Sequence, residues 1–265
     1  MDMTVIIMAV LCVGSVGLLI GIFLGVADRY LKVEVDPREE EILNVLPGNN
    51  CGGCGYAGCS GLAAAIVKDE APVNGCPVGG SEIAALVGEI MGVEAAGAVR
   101  QVAFVKCAGD CTNAANDYEY MGIEDCNMLS FVPNGGPKTC DYGCLGFGSC
   151  VKVCQFDAIS ILDGIAFVDI EKCKACGQCV DACPKHLIEL VPYSKRHKVR
   201  CNSMDKGPVT MKGCKVGCIG CSLCVKECPQ EAIKVENFIA KIDYSKCNGC
   251  GLCAKKCPRG IINKY

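Results

Sequence analysis

The chain has 265 residues, of which 26 are cysteine, 29 are acidic and 26 are Lys or Arg, so its formal charge is −3. So many cysteines indicate either a disulfide scaffold or a metal protein, and their tight CxxC clusters favour metal, because disulfide scaffolds are usually short secreted chains with dispersed cysteines. The acidic balance argues against nucleic acid as a partner. With no Trp and 6% aromatic residues, bound metal is expected to supply much of the folding free energy.

The first predicted element is a membrane helix. Val5–Val26 contains 22 residues without a charge, which is enough for a helix to cross a hydrocarbon core of about 30 Å. A cleaved signal peptide fits less well, because no Lys or Arg precedes the apolar segment and no A-x-A site follows it. Basic residues come only afterwards, at Arg29, Lys32 and Arg38. The positive-inside rule therefore predicts a single-pass anchor in the cell (inner) membrane, with the remaining chain on the cytoplasmic side.

A first cysteine cluster follows a short predicted helix. Asp36 as N-cap and Pro37 at the first helical position predict a helix over Arg38–Leu46. The cysteines then have the spacing C-x2-C-x4-C-x16-C, with glycines that let the backbone fold tightly around an inorganic core. A helix over Ser60–Ala71 is expected to carry the chain to the last ligand. Zinc is less favoured, because zinc sites usually separate two CxxC pairs by a dozen or more residues. The four predicted ligands are Cys51, Cys54, Cys59 and Cys76.

These residues carry a resemblance. CGGCGYAGC followed by GCPVGG resembles the four-cysteine iron–sulfur domain of the RnfB family, a component of the Rnf electron transport complex, and a similar domain occurs in some corrinoid iron–sulfur proteins. The anchor and the helix before the domain also resemble RnfB. Helical periodicity from Ser81 to Arg100 predicts a further helix packed on this domain.

The carboxy-terminal half contains a duplication. Eight cysteines of one unit recur 74 residues later, and GIAFVDIEKC aligns with FIAKIDYSKC, so one unit is present twice. Each unit resembles a bacterial two-cluster ferredoxin, and the apolar segment after each cysteine run predicts a small hairpin. In that family the fourth cysteine of each run binds the cluster of the other run. For the second unit the resemblance therefore implies one cluster on Cys218, Cys221, Cys224 and Cys257, and another on Cys228, Cys247, Cys250 and Cys253.

The first unit departs from this pattern. One cluster is predicted on Cys154, Cys173, Cys176 and Cys179, but Phe147 occupies the position where the repeat requires the middle cysteine of the other run. Cys140 lies four residues before Cys144 and can fill the gap, and a three-iron cluster or another ligand is the alternative. The predicted set is therefore Cys140, Cys144, Cys150 and Cys183.

The cysteines left over allow two interpretations. Cys107, Cys111 and Cys126 can supply three ligands of a sixth cluster, or they are buried free thiols, as are Cys201 and Cys214. Five [4Fe–4S] clusters are expected, and six are an open alternative. The two histidines, His186 and His197, are predicted to be surface or loop residues rather than ligands.

The predicted fold class is α+β: a transmembrane anchor (1–28), a small α-rich four-Cys [4Fe–4S] domain (29–100) and two tandem ferredoxin-like units (101–195, a variant, and 196–265). The sequence contains no dinucleotide-binding G-x-G-x-x-G and no P-loop. The resemblance to RnfB implies an electron-transfer subunit of an ion-translocating ferredoxin:NAD+ oxidoreductase, without substrate chemistry of its own. It also implies soluble ferredoxin as electron donor, and NAD and Na+ or H+ sites on partner subunits. The alternatives are a polyferredoxin subunit of a hydrogenase or of a CO dehydrogenase/corrinoid system, and a metal-storage protein.

Overall fold

A computed structural model describes residues 3–30, 36–95, 97 and 99–264 of the chain. Helix α1 (Met3–Tyr30) covers the predicted membrane segment. Its window Val10–Ala27 has a mean hydropathy of 2.5 and is long and apolar enough to cross a membrane, a property that it shares with signal sequences. Lys32, one of the basic residues used to predict orientation, lies outside the described residues.

Three helices form the first small domain: α2 (Pro37–Val45), α3 (Cys59–Val67) and α4 (Gly80–Met91). The predicted start of α2 is confirmed, since the Asp36 carboxylate accepts a hydrogen bond from the Arg38 backbone N–H at 2.9 Å. Helix α3 ends four residues earlier than predicted, and α4 ends at Gly92, whose left-handed conformation (φ +69°) terminates the helix. The apolar faces of the three helices share one buried core around Ile42, Leu62 and Val87.

The first duplicated unit contains two antiparallel strand pairs. Strand β1 (Gln101–Val105) pairs with β4 (Ile188–Pro192), and β2 (Ile159–Leu162) forms a hairpin with β3 (Ile165–Val168). Asp163 and Gly164 both have positive φ, as the two-residue turn of such a hairpin requires. The helical segments α5 (Ser149–Lys152) and α6 (Gln178–Asp181) each follow a cysteine loop.

The second unit repeats this arrangement. Strand β5 (His197–Val199) pairs with β8 (Ile262–Lys264), and β6 (Ile233–Glu236) forms a hairpin with β7 (Ile239–Ile242). Its helices are α7 (Gly207–Gly213), α8 (Leu223–Lys226) and α9 (Leu252–Lys256). The predicted hairpins and the mixed α+β class are confirmed. His197 begins β5 and is half-buried, whereas His186 is exposed.

The two units differ by an insertion. The Lys106 N–H donates to Leu187 O in the first unit as the Arg200 N–H donates to Ile261 O in the second, so residues 106 and 200 are equivalent. Cys107 and Cys140 are 33 positions apart, whereas their counterparts are 13 apart, so the first unit carries 20 additional residues. This insertion folds into turns and short 3-10 segments at Met128–Phe131 and Pro133–Gly135.

Candidate iron–sulfur centres

Two cysteine quartets in the structure match the ferredoxin runs. One lines a cavity of about 350 Å³ in the second unit and includes Cys257 from the run after α9. The other lines a cavity of about 320 Å³ in the first unit and includes Cys154 from the run before β2. Each quartet therefore combines three cysteines of one run with the fourth cysteine of the other, as the ferredoxin resemblance implies. The quartets are Cys218, Cys221, Cys224 and Cys257, and Cys154, Cys173, Cys176 and Cys179.

Electrostatics place a third predicted quartet together. Burial raises the pKa of the Cys253 thiol, and the nearby thiols of Cys247, Cys228 and Cys250 raise it further. In the first domain, Cys54, Cys59 and Cys76 pack against the helical core. Cys51 lies on the loop before them, and its carbonyl accepts a hydrogen bond at 2.5 Å from Gln178 Nε2 in the first ferredoxin unit.

The quartet of the variant run differs from the predicted one. A cavity of about 390 Å³ in the first unit is lined by Cys144, Cys150, Cys183 and Cys126. Burial raises the pKa of Cys150 to about 12, and the thiols of Cys144, Cys126 and Cys183 all contribute after burial. The structure therefore places Cys126, rather than Cys140, beside the three cysteines of this run.

The insertion explains why Cys126 reaches this position. The Cys126 backbone N–H donates to Ser149 Oγ at 3.0 Å, and Ser149 Oγ in turn donates to Asp125 Oδ1 at 3.1 Å. Lys152 forms an ion pair with the same carboxylate at 2.9 Å. These contacts hold the loop against helix α5, which begins at Ser149.

Phe147 has a packing role instead of a ligand role. Its ring meets the Tyr120 ring edge to face, with the centroids 5.5 Å apart, an arrangement that aromatic pairs favour. Because Tyr120 belongs to the insertion, the residue that replaces the expected cysteine supports the segment that delivers Cys126.

Cys140 lies in a different cavity, between the two ferredoxin units. This cavity also has a volume of about 390 Å³. Burial raises the pKa of Cys140 to about 11, and the thiols of Cys107 and Cys214 raise it further. The four cysteines that line the cavity are Cys107, Cys140, Cys201 and Cys214.

The proposed sixth set of Cys107, Cys111 and Cys126 is therefore separated in the structure. Cys107 lines the cavity between the units and Cys126 lines the variant cavity. Cys111 is exposed at the β2–β3 turn, where its backbone N–H donates to Asp163 O at 2.9 Å. Spacing along the chain suggested one site because it does not show that the intervening loop turns away after Gly109.

The quartets fit an inorganic cluster better than a single ion. Among the residues that the structure describes, no three His, Cys, Asp or Glu side chains are arranged to hold one metal ion. Four thiolates on one zinc ion would lie about 3.8 Å apart, given a Zn–S distance of about 2.3 Å. Four quartets instead surround cavities of about 320 to 390 Å³, and peptide N–H groups donate to sulfur at Cys76, Cys154, Cys183 and Cys228.

Comparisons with known proteins agree with this geometry. A family model for an Fe–S cluster matches residues 46–78, a 4Fe-4S binding domain matches residues 166–189, and a 4Fe-4S dicluster domain matches residues 217–261. The chain is 48% identical to the RnfB protein of a Na+-translocating ferredoxin:NAD+ oxidoreductase complex from Acetobacterium woodii, over 88% of this chain and 70% of the relative. It is 41% identical to the RnfB protein of an ion-translocating oxidoreductase complex from Methanosarcina acetivorans, over 92% of both chains.

The chain belongs to the RnfB family. A third relative is the RnfB protein of a proton-translocating ferredoxin:NAD+ oxidoreductase complex from Clostridium ljungdahlii, at 43% identity over 92% of this chain and 87% of the relative. The family resemblance predicted from the anchor, the CGGCGYAGC domain and the ferredoxin runs is confirmed. As a member of the RnfB family, the chain is an iron–sulfur electron-transfer protein.

Proposed function

We propose that this chain accepts electrons from reduced soluble ferredoxin and passes them to partner subunits of a membrane-bound ferredoxin:NAD+ oxidoreductase complex. The main support is the recurrence of four cysteines around closely similar cavities in a chain of this family. A bound [4Fe–4S] cluster takes up and releases one electron. NAD+ and the translocated Na+ or H+ belong to other subunits, since the sequence has no dinucleotide-binding motif.

Five cysteine sets carry this function in our proposal. Four of them follow the predicted pairing, and the fifth uses Cys126 in place of Cys140. The sets are Cys51, Cys54, Cys59 and Cys76; Cys154, Cys173, Cys176 and Cys179; Cys126, Cys144, Cys150 and Cys183; Cys218, Cys221, Cys224 and Cys257; and Cys228, Cys247, Cys250 and Cys253.

Contacts between these sets support an ordered path. The Cys51 loop lies against the Cys176 loop, because Gln178 binds the Cys51 carbonyl and Gly53 packs directly on the Cys176 backbone. Within the first unit, Cys150 lies close enough to Cys179 to raise the pKa of that thiol, after burial and the thiols of its own set. The first domain therefore leads to the Cys176 set, and the Cys176 set leads to the Cys150 set.

The same proposal covers the membrane arrangement. Helix α1 is the single membrane span, and the cluster domains face the cytoplasm, where reduced ferredoxin is available and thiols stay reduced. The basic residues after α1 support this orientation.

The test uses the purified full-length protein under anaerobic conditions. We expect chemically reduced ferredoxin to bleach the visible absorption of the chain, with several electrons transferred per molecule. If dithionite bleaches the protein but ferredoxin does not, the chain carries electrons from a different donor. If neither reductant bleaches it, the chain is not an electron carrier and the proposal fails.

A further inference from the structure

The cavity between the two ferredoxin units has the features of another metal centre. It is lined by two pairs of equivalent cysteines: Cys107 and Cys201 end the first strand of each unit, and Cys140 and Cys214 are related by the 74-residue repeat. We propose that these four cysteines hold an additional [4Fe–4S] cluster, shared by the two units. This inference rests on the proposed function, because it requires a chain that is loaded with such clusters.

The cavity resembles those of the ferredoxin runs in size and donor set. Its volume of about 390 Å³ compares with about 350 Å³ for the quartet that includes Cys218, and both are lined by four cysteines. Cys107 and Cys214 are buried, at 7% and 9% exposure. Four buried or half-buried thiols around one space are difficult to explain as random packing, because two protein units would have to contribute equivalent cysteines to the same point.

Charges around the cavity match an anionic ligand. Lys138 is 8% exposed, and its Nζ donates to the carbonyl oxygens of Gly109 and Gly164, at 2.7 and 3.2 Å. Arg200 also lines the cavity, and its buried Nε has no hydrogen-bond partner among the described residues. A buried cation is costly without a compensating negative charge or acceptor. The thiolates and sulfides of a cluster would supply both.

Hydrogen bonds connect this cavity to a ferredoxin quartet on either side. The Cys144 backbone N–H donates to Cys107 Sγ at 3.4 Å, and the equivalent Cys218 N–H donates to Cys201 Sγ at 3.3 Å. Cys144 belongs to the variant quartet of the first unit, and Cys218 belongs to a quartet of the second. The four cysteines therefore lie between one quartet of each unit and connect them through a single N–H···S bond on each side.

The units also meet through the backbone around this site. The Ala115 N–H donates to Gly213 O at 2.9 Å and the Lys215 N–H donates to Asn113 O at 2.8 Å. Because Gly213 and Lys215 flank Cys214, the contact between the units fixes the position of a proposed ligand.

The test compares the full-length protein with two double variants, Cys107→Ala with Cys214→Ala and Cys140→Ala with Cys201→Ala. Cys111→Ala is the matched control, since Cys111 is an exposed cysteine four residues after Cys107 and lines none of the four-cysteine cavities. We expect the wild type and the control to contain about 24 iron atoms per chain, and each double variant to contain about 20. Electron paramagnetic resonance of the reduced protein should show the loss of the same cluster signal in both variants.

Several results would overturn the inference. Unchanged iron in both double variants would show that these thiols bind no cluster, and zinc in the wild type in place of four irons would assign a different metal. If the variants do not fold, spin integration of fully reduced wild type decides: about six unpaired electrons per chain support the sixth cluster and about five contradict it. A wild type without any reducible cluster would instead refute the proposed function.

Discussion

The contact between the first domain and the first ferredoxin unit gives a sharp test of the electron path. Gly53 packs so closely on the other unit that a Cβ at this position would lie 3.0 Å from both the carbonyl carbon and the Cα of Cys176, and closer still to its carbonyl oxygen. Carbon atoms in contact are normally about 3.5–4.0 Å apart, so Gly53→Ala must separate the two loops by at least about 0.5 Å. Backbone atoms cannot rotate away as a side chain can.

The expected cost follows from overpacking. Added methyl groups in a tightly packed contact cost about 1–3 kcal/mol, and this lowers the ratio of docked to undocked domain by about 5- to 150-fold. The four cysteines of the first domain are not altered, so the iron content should stay the same. We expect weaker magnetic coupling between the clusters of the Cys51 and Cys176 sets, and slower electron transfer between them in stopped-flow experiments.

The control is Gly97→Ala, because a Cβ at Gly97 meets no atom within 4 Å and needs no unusual backbone conformation. Gln178→Ala should act in the same direction as Gly53→Ala by removing the bond to Cys51. Normal magnetic coupling and normal transfer rates in the Gly53 variant would refute the docked arrangement of the two domains.

Three further predictions concern the cysteine sets and the anchor. Cys126→Ala should remove about four irons per chain, and adding Phe147→Cys should restore them, because position 147 corresponds to the ligand position of Cys221; a double variant that stays iron-deficient would contradict the assignment of this set. Burial raises the pKa of Cys150 to about 12, so this thiol is neutral in the apoprotein at pH 8. Cluster insertion should therefore release protons, measurable in a pH-stat, and should weaken as the pH falls; insertion without proton release would contradict this reasoning. Deletion of residues 1–30 should move the protein from the membrane to the soluble fraction with unchanged iron, and continued sedimentation with membranes would exclude α1 as the sole anchor.

Much of this fold could be predicted from the sequence, because iron–sulfur motifs leave a dense local record. The 74-residue repeat predicted two equivalent units, and both contain the same pair of two-stranded sheets. The Asp36–Pro37 cap and the long apolar helix were also readable, because each depends on residues that are close in sequence. The structure places Cys218 and Cys257 together, as the ferredoxin resemblance implied.

The variant site shows the limit of this reasoning. Proximity to Cys144 along the chain favours Cys140 as the ligand, yet the structure places Cys140 with Cys214 of the other unit. Cys126 reaches the variant cavity only through a tertiary contact, the hydrogen bond of its N–H to Ser149 Oγ. One sequence signal was available: the unit that lacks a cysteine at Phe147 is also the unit with 20 inserted residues, and the insertion contains a spare cysteine.

The central claim is that this chain is a redox-active carrier of several iron–sulfur clusters. A coulometric titration of the purified, anaerobic full-length protein, combined with iron and acid-labile sulfide analysis on the same sample, tests it most directly. We predict reversible uptake of about six electrons per chain, with iron and sulfide in equal amounts. Free thiols without iron, or bound metal that takes up no electrons, would contradict the account.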